Sequence, residues 1–571
     1  MASFLLNDAA WPSVPWSFKK TNLLLHLLVG LLVYLVAYHV ARHELNYSER
    51  RAFYISLFSA SLWLLHPMNV STVLYVVQRM AILSAIFILI GFYFYLIARR
   101  RRLAGESNLI WFLISLLSLF LGIFSKENAL LLIIFIFALE LFWFRPPTFQ
   151  GLGSLKPAHL LMALVVVSLG LTLSYGVWGA GYSARDFGVM ERLFYQAAAL
   201  GDYILKLIIP QVDAFNLFNG QFENAKSFNF SSYFIIRIFV FLVAISLLFY
   251  LLKKRKFDFS FGLLWFFVFH LMESSILPLE LYFEHRNYLP GIGLLFLAAV
   301  VVSSLYRKFR SIDSVFSVGS VAVLFYLGFC VFVLSITWAN PGQLFVKWEM
   351  DSPESVRAKV VYSSYLENLG FPQNSIEHVD RALDLNPDSI GLHLRKIRVT
   401  CGEDVNGDVL KAISDFKRST KFRHGVVDGI KKLIGLSDHD GYLVCSNGKI
   451  DFTLDEVFSL IEKNSKATSW PHTRSAQYFS LKSDYFARQR NLPQAIRALE
   501  QAITYQPSVD LNLKAAVMLA SAQLYSEALD KLNAATRANE KRNVFVPSRS
   551  TELLSLERTI KKLMNRETKS E

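Results

Sequence analysis

The sequence has few charged residues. They make up 18% of its 571 residues, whereas 53% are hydrophobic and 14% are aromatic. A water-soluble protein of this length could not bury so much apolar surface, because the ratio of surface to volume limits burial. A soluble globular class is therefore excluded for the chain as a whole.

Cysteine is also scarce, and the sequence contains no glycine-rich phosphate loop. The three cysteines, Cys330, Cys401 and Cys445, match no metal-ligand spacing. Cys330 lies in a predicted membrane span, and the other two are either a disulfide pair or unpaired structural cysteines. The missing phosphate loop argues against a nucleotide-linked substrate.

Long apolar runs occupy the chain from Asn22 to Trp338, after which the sequence is typical of soluble helices. A hydrocarbon core about 30 Å thick requires about 20 helical residues. Two of the ten segments predicted to span the membrane, 52–66 and 260–272, are short, and we expect them to start or stop inside a protein-lined cavity. Ten spans are predicted: 22–41, 52–66, 80–98, 109–124, 128–144, 157–176, 232–252, 260–272, 289–306 and 313–336.

Basic residues predict the orientation of these spans. One set of alternate loops holds 16 Lys and Arg residues, and the opposite set holds 7. The positive-inside rule assigns the first set to the cytoplasm. The N-terminus and the region after Trp338 are then outside, in the periplasm if the membrane is a bacterial inner membrane. The net charge of +14 partly reflects this orientation, so it does not indicate a nucleic-acid partner.

The region after Trp338 contains repeats of about 33 residues. Three positions recur at this interval: Ala495, Leu499 and Ala502 as Ala528, Leu532 and Ala535. An earlier unit runs from Tyr365 to Pro387, and residues 400–470 fit the pattern poorly. Small residues let paired helices approach closely, which predicts a tetratricopeptide-like α-solenoid, with an unrelated helical bundle as the alternative. Such repeats normally bind proteins, although a spacer role is also open.

Four clusters of polar residues lie at span ends on the predicted outer side. Ionisable groups at membrane depth are costly unless they have a task. The third cluster, Arg185–Tyr203, has the pattern of an amphipathic interfacial helix. Ion pairs that seal helix ends are the alternative interpretation. The clusters are His66–Asn69 with Gln78 and Arg79, Ser125–Asn128, Arg185–Tyr203, and Glu273 with Glu280–Tyr288.

Taken together, these segments resemble a known family. Thr21–His26, His66–Thr72 with Gln78–Met80, Ser125–Asn128 and Glu280–Pro290 are similar to bacterial GT-C membrane glycosyltransferases, relatives of the eukaryotic transmembrane and tetratricopeptide-repeat O-mannosyltransferases. The resemblance covers nearly the whole chain. It implies an all-α protein with a GT-C-like polytopic membrane domain of about ten helices in residues 1–340. An extracytoplasmic domain of tetratricopeptide-like repeats would follow in residues 341–571.

The resemblance also implies a reaction. A sugar would pass from a polyprenyl-phosphate-linked donor in the membrane lipid to a protein acceptor on the periplasmic face. A bacterial branch of such enzymes glycosylates type IV pilins, so pilin is one candidate acceptor. A polymerase or ligase of lipid-linked glycans and a non-catalytic membrane scaffold are the alternatives.

The site residues that chemistry and resemblance suggest fall into three groups. A base would remove the acceptor hydroxyl proton while an arginine fork stabilises the departing lipid phosphate. Whether a divalent metal takes part is left open. The candidates are Glu284, Glu127 and Asp202 for catalysis, Arg79, Arg192 and Arg286 for the donor phosphate, and His66, Lys126, Glu280, His285 and Tyr288 for other substrate contacts.

The N-terminal part of the sequence departs from the family pattern. GT-C enzymes usually hold an acidic pair in their first outer loop, whereas Asp8 is the only carboxylate before Asn22 here. We expect either that the coding frame continues upstream of Met1 into a further span and this loop, or that the base has been lost or relocated.

Overall fold

The computed structural model describes residues 2–5, 7, 14–144, 182, 185, 187–223, 227–309, 313–402, 406–422, 425–464, 470, 472–541 and 548–567. It is 79% helical, and the sheet found among these residues has two strands. The predicted all-α class is therefore confirmed. The chain divides into two compact units, Met1–Ala358 and Lys359–Glu571.

The first unit is built from apolar helices and short connecting turns. Its helices are α1 Pro15–His39, α2 Glu49–Leu64, α3 Val70–Leu74, α4 Arg79–Leu103, α5 Leu109–Ser125, α6 Leu131–Phe142, α7 Val189–Ile208, α8 Gly220–Glu223, α9 Ser232–Lys253, α10 Phe257–His270, α11 Gly291–Lys308, α12 Asp313–Ala339 and α13 Pro341–Asp351. The predicted spans coincide with helices, except that 157–176 lies outside the described residues. The sequence-based boundary at residue 340 falls just before α13, which packs on the first unit through Trp348.

Five helical segments of the described residues are long and apolar enough to cross a membrane. They are Pro15–Glu44, Val76–Leu103, Ser232–Lys253, Gly291–Lys308 and Ser314–Ala339. Only 11% of the apolar stretch of α9 and 17% of that of α12 is buried within the protein. Apolar surface left exposed to this extent is typical of helices that contact lipid.

Three of the helices at predicted spans are shorter than the about 20 residues needed to cross a membrane, and one predicted span is broken. Helices α5, α6 and α10 have 17, 12 and 14 residues. Helix α2 ends at Leu64, and the chain bends by 51° before it continues to Leu74. Pro67 explains the break, because a proline lacks the N–H that would continue the helical hydrogen bonds. His66 and Asn69 at this bend are buried, as expected for a span that stops inside the protein.

The second unit consists mainly of helix pairs. Its elements are α14 Val356–Asn368, which begins just before the division, α15 Pro372–Leu385, α16 Ile390–Cys401, α17 Asn406–Phe416, α18 Val426–Gly435, β1 Tyr442–Cys445, β2 Gly448–Thr453, α19 Leu454–Asn464, α20 His472–Arg488, α21 Leu492–Tyr505, α22 Val509–Ser521, α23 Tyr525–Glu540 and α24 Ser550–Glu567. The recurring alanines and leucines of α21 and α23 are at most 2% exposed. They occupy the interfaces that the 33-residue pattern predicts.

Residues 400–470 fit the repeat pattern poorly because they include a β-hairpin and a disulfide bond. Strands β1 and β2 pair antiparallel, and Cys401 at the end of α16 is bonded to Cys445 at the end of β1. The pairing that the sequence left open is therefore formed. Cys330, in α12, is free and buried.

Loss of this disulfide is expected to destabilise the second unit locally. The bond joins residues separated by 44 positions, and cross-links of such loops contribute roughly 2–4 kcal/mol to the free energy of unfolding. Amide hydrogen exchange in α16 of the full-length chain should therefore accelerate in a Cys401→Ser, Cys445→Ser double variant. The matched control, Cys330→Ser, should leave exchange in α16 unchanged. Equal exchange rates in the two variants would contradict the prediction.

Candidate functional site

The segment between α10 and α11, residues 271–290, brings most of the predicted polar residues together. A 3₁₀ turn, Glu284–Asn287, lies in its second half. Two buried tryptophans hold the end of this segment, because Trp63 Nε1 donates to the carbonyl of Tyr288 and Trp265 Nε1 donates to that of Leu289, both at 2.9 Å. The turn is therefore fixed against α2 and α10.

Glu273 is the centre of a buried cluster of charges. Its Oε1 accepts hydrogen bonds from Lys126 Nζ and Asn128 Nδ2, each at 2.7 Å. Its Oε2 lies 3.2 Å from Nε of Arg286. Burial on its own would raise the pKa of Glu273, but Lys126 and Arg286 outweigh it and lower the pKa to about 2. The carboxylate is therefore ionised at any physiological pH.

Arg192, on α7, completes this cluster. Its guanidinium donates to the carbonyls of Ser275 at 2.7 Å, Leu279 at 2.5 Å and Glu273 at 2.8 Å. Helix α7 is not among the segments apolar enough to span a membrane. Burial and then the charge of Arg286 lower the pKa of Arg192 to about 10. The two arginines are thus close enough to repel each other.

The cluster has an excess of positive charge. The carboxylate of Glu273 is paired with two cations, Lys126 and Arg286, while Arg192 donates to the backbone carbonyl of the same residue. An excess of buried cations with arginine forks is suited to binding an anion such as a phosphate.

Three buried polar atoms near the same loop have no hydrogen-bond partner among the described residues. They are Oδ1 of Asn128, Oε1 of Gln196 and Nδ1 of His270. Asn128 and Gln196 bind Glu273 and the carbonyl of Leu281 through their amide nitrogens. Buried polar groups normally find a partner, so these atoms are available to a bound molecule.

Glu284 lies in a second polar group beside this cluster. Its Oε1 accepts a hydrogen bond from the backbone N–H of Asn216 at 2.9 Å, and Lys206 Nζ is 3.6 Å away. Burial raises the pKa of Glu284 to about 7, although Lys206 and Asn216 oppose the shift and Asp202 adds to it. A carboxyl with this pKa can accept a proton near neutral pH.

Asp202 is fully engaged with its neighbours. Arg237 Nε lies 2.7 Å from one carboxylate oxygen, while Tyr282 Oη donates to the other at 2.6 Å and Lys206 approaches within 3.5 Å. The preceding Gly201 permits this contact, because a Cβ there would lie 1.8 Å from the carbonyl oxygen of Arg237. Asp202 therefore orients its partners rather than facing open space.

Arg79 is placed in different surroundings from the other two phosphate candidates. It is 1% exposed and donates to Oδ1 of Asn22 at 2.8 Å and to the carbonyls of Ser3 at 2.7 Å and Phe18 at 3.1 Å. These bonds tie α4 to the N-terminal segment and α1. The structure gathers Arg192 and Arg286 around Glu273 but does not bring Arg79 to them.

Two of the predicted substrate contacts are held by neighbouring helices. His66 Nε2 donates to the carbonyl of Leu207 at 3.2 Å, and its Nδ1 accepts from the N–H of Met68. The hydroxyl of Tyr288 hydrogen-bonds with Nδ1 of His26 at 2.8 Å. Both residues are buried, and they join α1, α7 and the loop before α11.

The remaining candidates lie around the cluster. Glu127 is exposed at the first position of the 3₁₀ helix Glu127–Leu130. Glu280 is paired with Arg185 at 2.5 Å and with Arg357 at 3.0 Å. Burial lowers the pKa of His285 to about 3, so its half-buried ring is neutral.

Sequence reasoning missed several residues of the site. Lys206, Asn216 and Arg237 make the contacts of Glu284 and Asp202, but their positions carried no local pattern. His270 ends an apolar helix, and the free-energy cost of burying an ionisable group at that depth is a signal that marks it.

Within the described part of the chain, no group of three or more His, Cys, Asp or Glu side chains could hold a metal ion.

Comparison with known proteins bears on the second unit. Residues 481–542 match the family model of the tetratricopeptide repeat. The C-terminal part of the chain is a tetratricopeptide repeat region. The matched residues run from within α20 to just beyond α23, and so include the recurring alanines of α21 and α23. No curated protein matches the chain.

Proposed function

We propose that this protein is a membrane glycosyltransferase of the GT-C type, which transfers a sugar from a polyprenyl-phosphate-linked donor to a protein acceptor. One observation carries the proposal: Lys126 and Arg286 both pair with the carboxylate of Glu273, and Arg192 donates to the backbone carbonyl of the same residue. Glu273 and Arg286 lie in the segment that precedes α11, one of the helices that could span a membrane. A lipid phosphate is an anion that would be found at the end of such helices.

The cluster would bind the phosphate of the donor and stabilise the charge that develops on it. Glu273 holds Lys126 and Arg286 in fixed positions, so little reorganisation is needed as the sugar–phosphate bond breaks. The forked guanidinium of Arg286 can bind two phosphate oxygens. Arg192 fixes the backbone of the loop and adds to the positive charge.

Glu284 is the best candidate for the base. It lies two residues from Arg286, and its pKa of about 7 allows it to take up a proton near neutral pH. In the proposed step the acceptor oxygen attacks the anomeric carbon as Glu284 removes its proton. The bond from this carbon to the phosphate oxygen breaks, and polyprenyl phosphate leaves with its charge held by Arg286. Attack from the side opposite the phosphate inverts the anomeric centre.

Two features of the second unit support the proposal that the acceptor is a protein outside the cytoplasm. Tetratricopeptide repeats commonly bind proteins, and pilin is one candidate. The disulfide between Cys401 and Cys445 supports an oxidising compartment, because structural disulfides are rare in the cytosol. Both observations fit a bacterial inner-membrane protein whose repeats lie in the periplasm.

The function is tested with the full-length protein in nanodiscs. A labelled polyprenyl-phosphate-linked sugar is added together with either a type IV pilin or a lipid-linked glycan. Transfer of label to the pilin supports the proposal. Transfer to the glycan alone would favour a polymerase or ligase of lipid-linked glycans.

A non-catalytic scaffold is the second candidate function. It is favoured by the tetratricopeptide repeat region, which could recruit partners to the membrane without any chemistry in the first unit. A scaffold transfers no label in the nanodisc assay to any acceptor, yet retains its partner through the repeats.

Orientation is tested independently of activity. The uneven distribution of basic residues predicts that reporter fusions after Arg102 and Lys254 report the cytoplasm. Fusions after Glu223 and Asp388 should report the periplasm. A cytoplasmic signal from the fusion at Asp388 would contradict the proposed periplasmic location of the repeats.

A further inference from the structure

Residues 341–358, which we call the strap, connect α12 to the second unit and are held firmly on the first. Helix α13 begins after Asn340, whose side chain accepts hydrogen bonds from the N–H groups of Gly342 and Gln343. Trp348 is 8% exposed, and its ring lies 5.2 Å from Phe218. The strap therefore has its own helix and its own apolar anchor.

Asn216 joins the strap to the candidate base. Its side-chain Nδ2 donates to the carbonyl of Trp348 at 3.2 Å and to Oγ of Ser352 at 3.1 Å. Its backbone N–H donates to Oε1 of Glu284 at 2.9 Å. One residue thus contacts both the strap and the carboxylate.

Further contacts hold the strap in the same place. Ser352 Oγ donates to the carbonyl of Phe218 at 2.7 Å, and Ser355 Oγ donates to Glu223 at 2.8 Å. Gly220 allows a close backbone approach, since a Cβ there would lie 2.7 Å from the carbonyl carbon of Glu354. The loop that carries Asn216 is therefore packed along the strap.

We propose that Asn216 is a positioning residue for Glu284, and that the strap sets its position. With the strap docked, the N–H of Asn216 points at the carboxylate and stabilises its ionised form. Displacement of the strap would withdraw this hydrogen bond and leave the base protonated at neutral pH. The inference rests on the proposed function for its role in catalysis, but the contacts themselves do not.

The surroundings of Glu284 define what the loss of this bond would do. The charged or titratable groups that interact with it are Lys206 and Asp202 on α7 and Tyr282 on its own segment. Burial raises its pKa, and the bond from Asn216 opposes that shift. A hydrogen bond to an ionised group contributes enough free energy to the ionised form that its loss should raise the pKa of Glu284 by about one unit.

A hydrophobic carbodiimide provides a test that does not depend on activity. The reagent modifies protonated carboxyls, so the pH dependence of labelling at Glu284, followed by peptide mass spectrometry, reports its titration. Ser352→Ala removes one acceptor of Asn216 and the bond to Phe218, and should shift the midpoint upward, by at most about one pH unit. Gly220→Ala should do the same by displacing the strap backbone. The matched control, Ser320→Ala on α12, should leave the midpoint unchanged.

The results separate this inference from the proposed function. An unchanged midpoint in both folded variants would overturn the positioning role, even if the wild type transfers sugar. A shifted midpoint in a protein that transfers no sugar would support the positioning role and contradict the proposed glycosyltransferase activity. Where transfer is observed, its pH profile should move with the labelling midpoint, and Ser352→Thr should restore both.

Discussion

Replacing Arg286 by lysine is expected to lower the rate of sugar transfer by on the order of 10²–10³. The substitution keeps the positive charge beside Glu273 but removes the planar fork that can bind two phosphate oxygens. Because the fork acts on charge that develops in the transition state, the loss should appear in kcat more than in KM. The measurement is glycosylation of the acceptor, normalised to the folded protein in the membrane.

Arg79→Lys is the matched control, because Arg79 is also buried but has different partners. Its donors are directed at Asn22 and at two backbone carbonyls near the N-terminus. We expect a lower yield of folded protein and nearly normal turnover per folded molecule. Near-normal turnover of Arg286→Lys would remove the phosphate role of Arg286. Equal losses of turnover in both variants would contradict a specific phosphate role for Arg286.

The apolar helices and the repeats could be predicted from the sequence because both are periodic. Length and composition located α1, α4, α9, α11 and α12, and the 33-residue recurrence located the buried alanines of α21 and α23. The hairpin Tyr442–Thr453 and its disulfide could not be predicted in this way. They interrupt the period, and the pairing of Cys401 with Cys445 depends on the folded path between them.

The site was predicted only where its residues cluster in sequence. Glu273, Glu284 and Arg286 share one loop, so their proximity follows from the chain. The sequence pattern does not distinguish Arg79 from Arg286, since both lie at the outer ends of predicted spans. The structure separates them because Arg79 contacts the N-terminal segment, and a local pattern does not contain such a long-range contact. Asn216, Lys206 and Arg237 were missed for the same reason.

Replacing Glu284 by glutamine is expected to lower transfer by about 10²–10⁴, the usual contribution of a general base. In the wild type, activity should rise as pH increases through about 7, since the base works only when it is ionised. The variant should lose this dependence along with its rate. A rate within threefold of the wild type would exclude Glu284 as the base.

The same substitution should stabilise the protein, whereas removing a carboxylate that forms a stabilising ion pair should destabilise it. The folded state binds the Glu284 proton more tightly than the unfolded state, with a pKa of about 7 instead of 4.5. The stability that this proton provides is fully present below pH 4.5 and is lost as pH rises through 7. Glutamine mimics the protonated form, so Glu284→Gln should match the wild type near pH 4.5 and exceed it by on the order of 3 kcal/mol at pH 8.5.

Glu280→Gln provides a control of opposite sign for this stability effect. Burial opposes the shift, but Arg357 and Arg185 lower the pKa of Glu280 to about 2, so its carboxylate stabilises the folded state above pH 4.5. Its removal leaves two arginines without their partner and should lower the melting temperature at pH 8.5, whereas Glu284→Gln should raise it. Thermal unfolding of both variants at pH 5 and 8.5 measures the contrast. A fall in melting temperature for both at pH 8.5 would mean that Glu284 is an ordinary ion-pair partner of Lys206, and its assignment as a base kept ready for proton transfer would have to be abandoned.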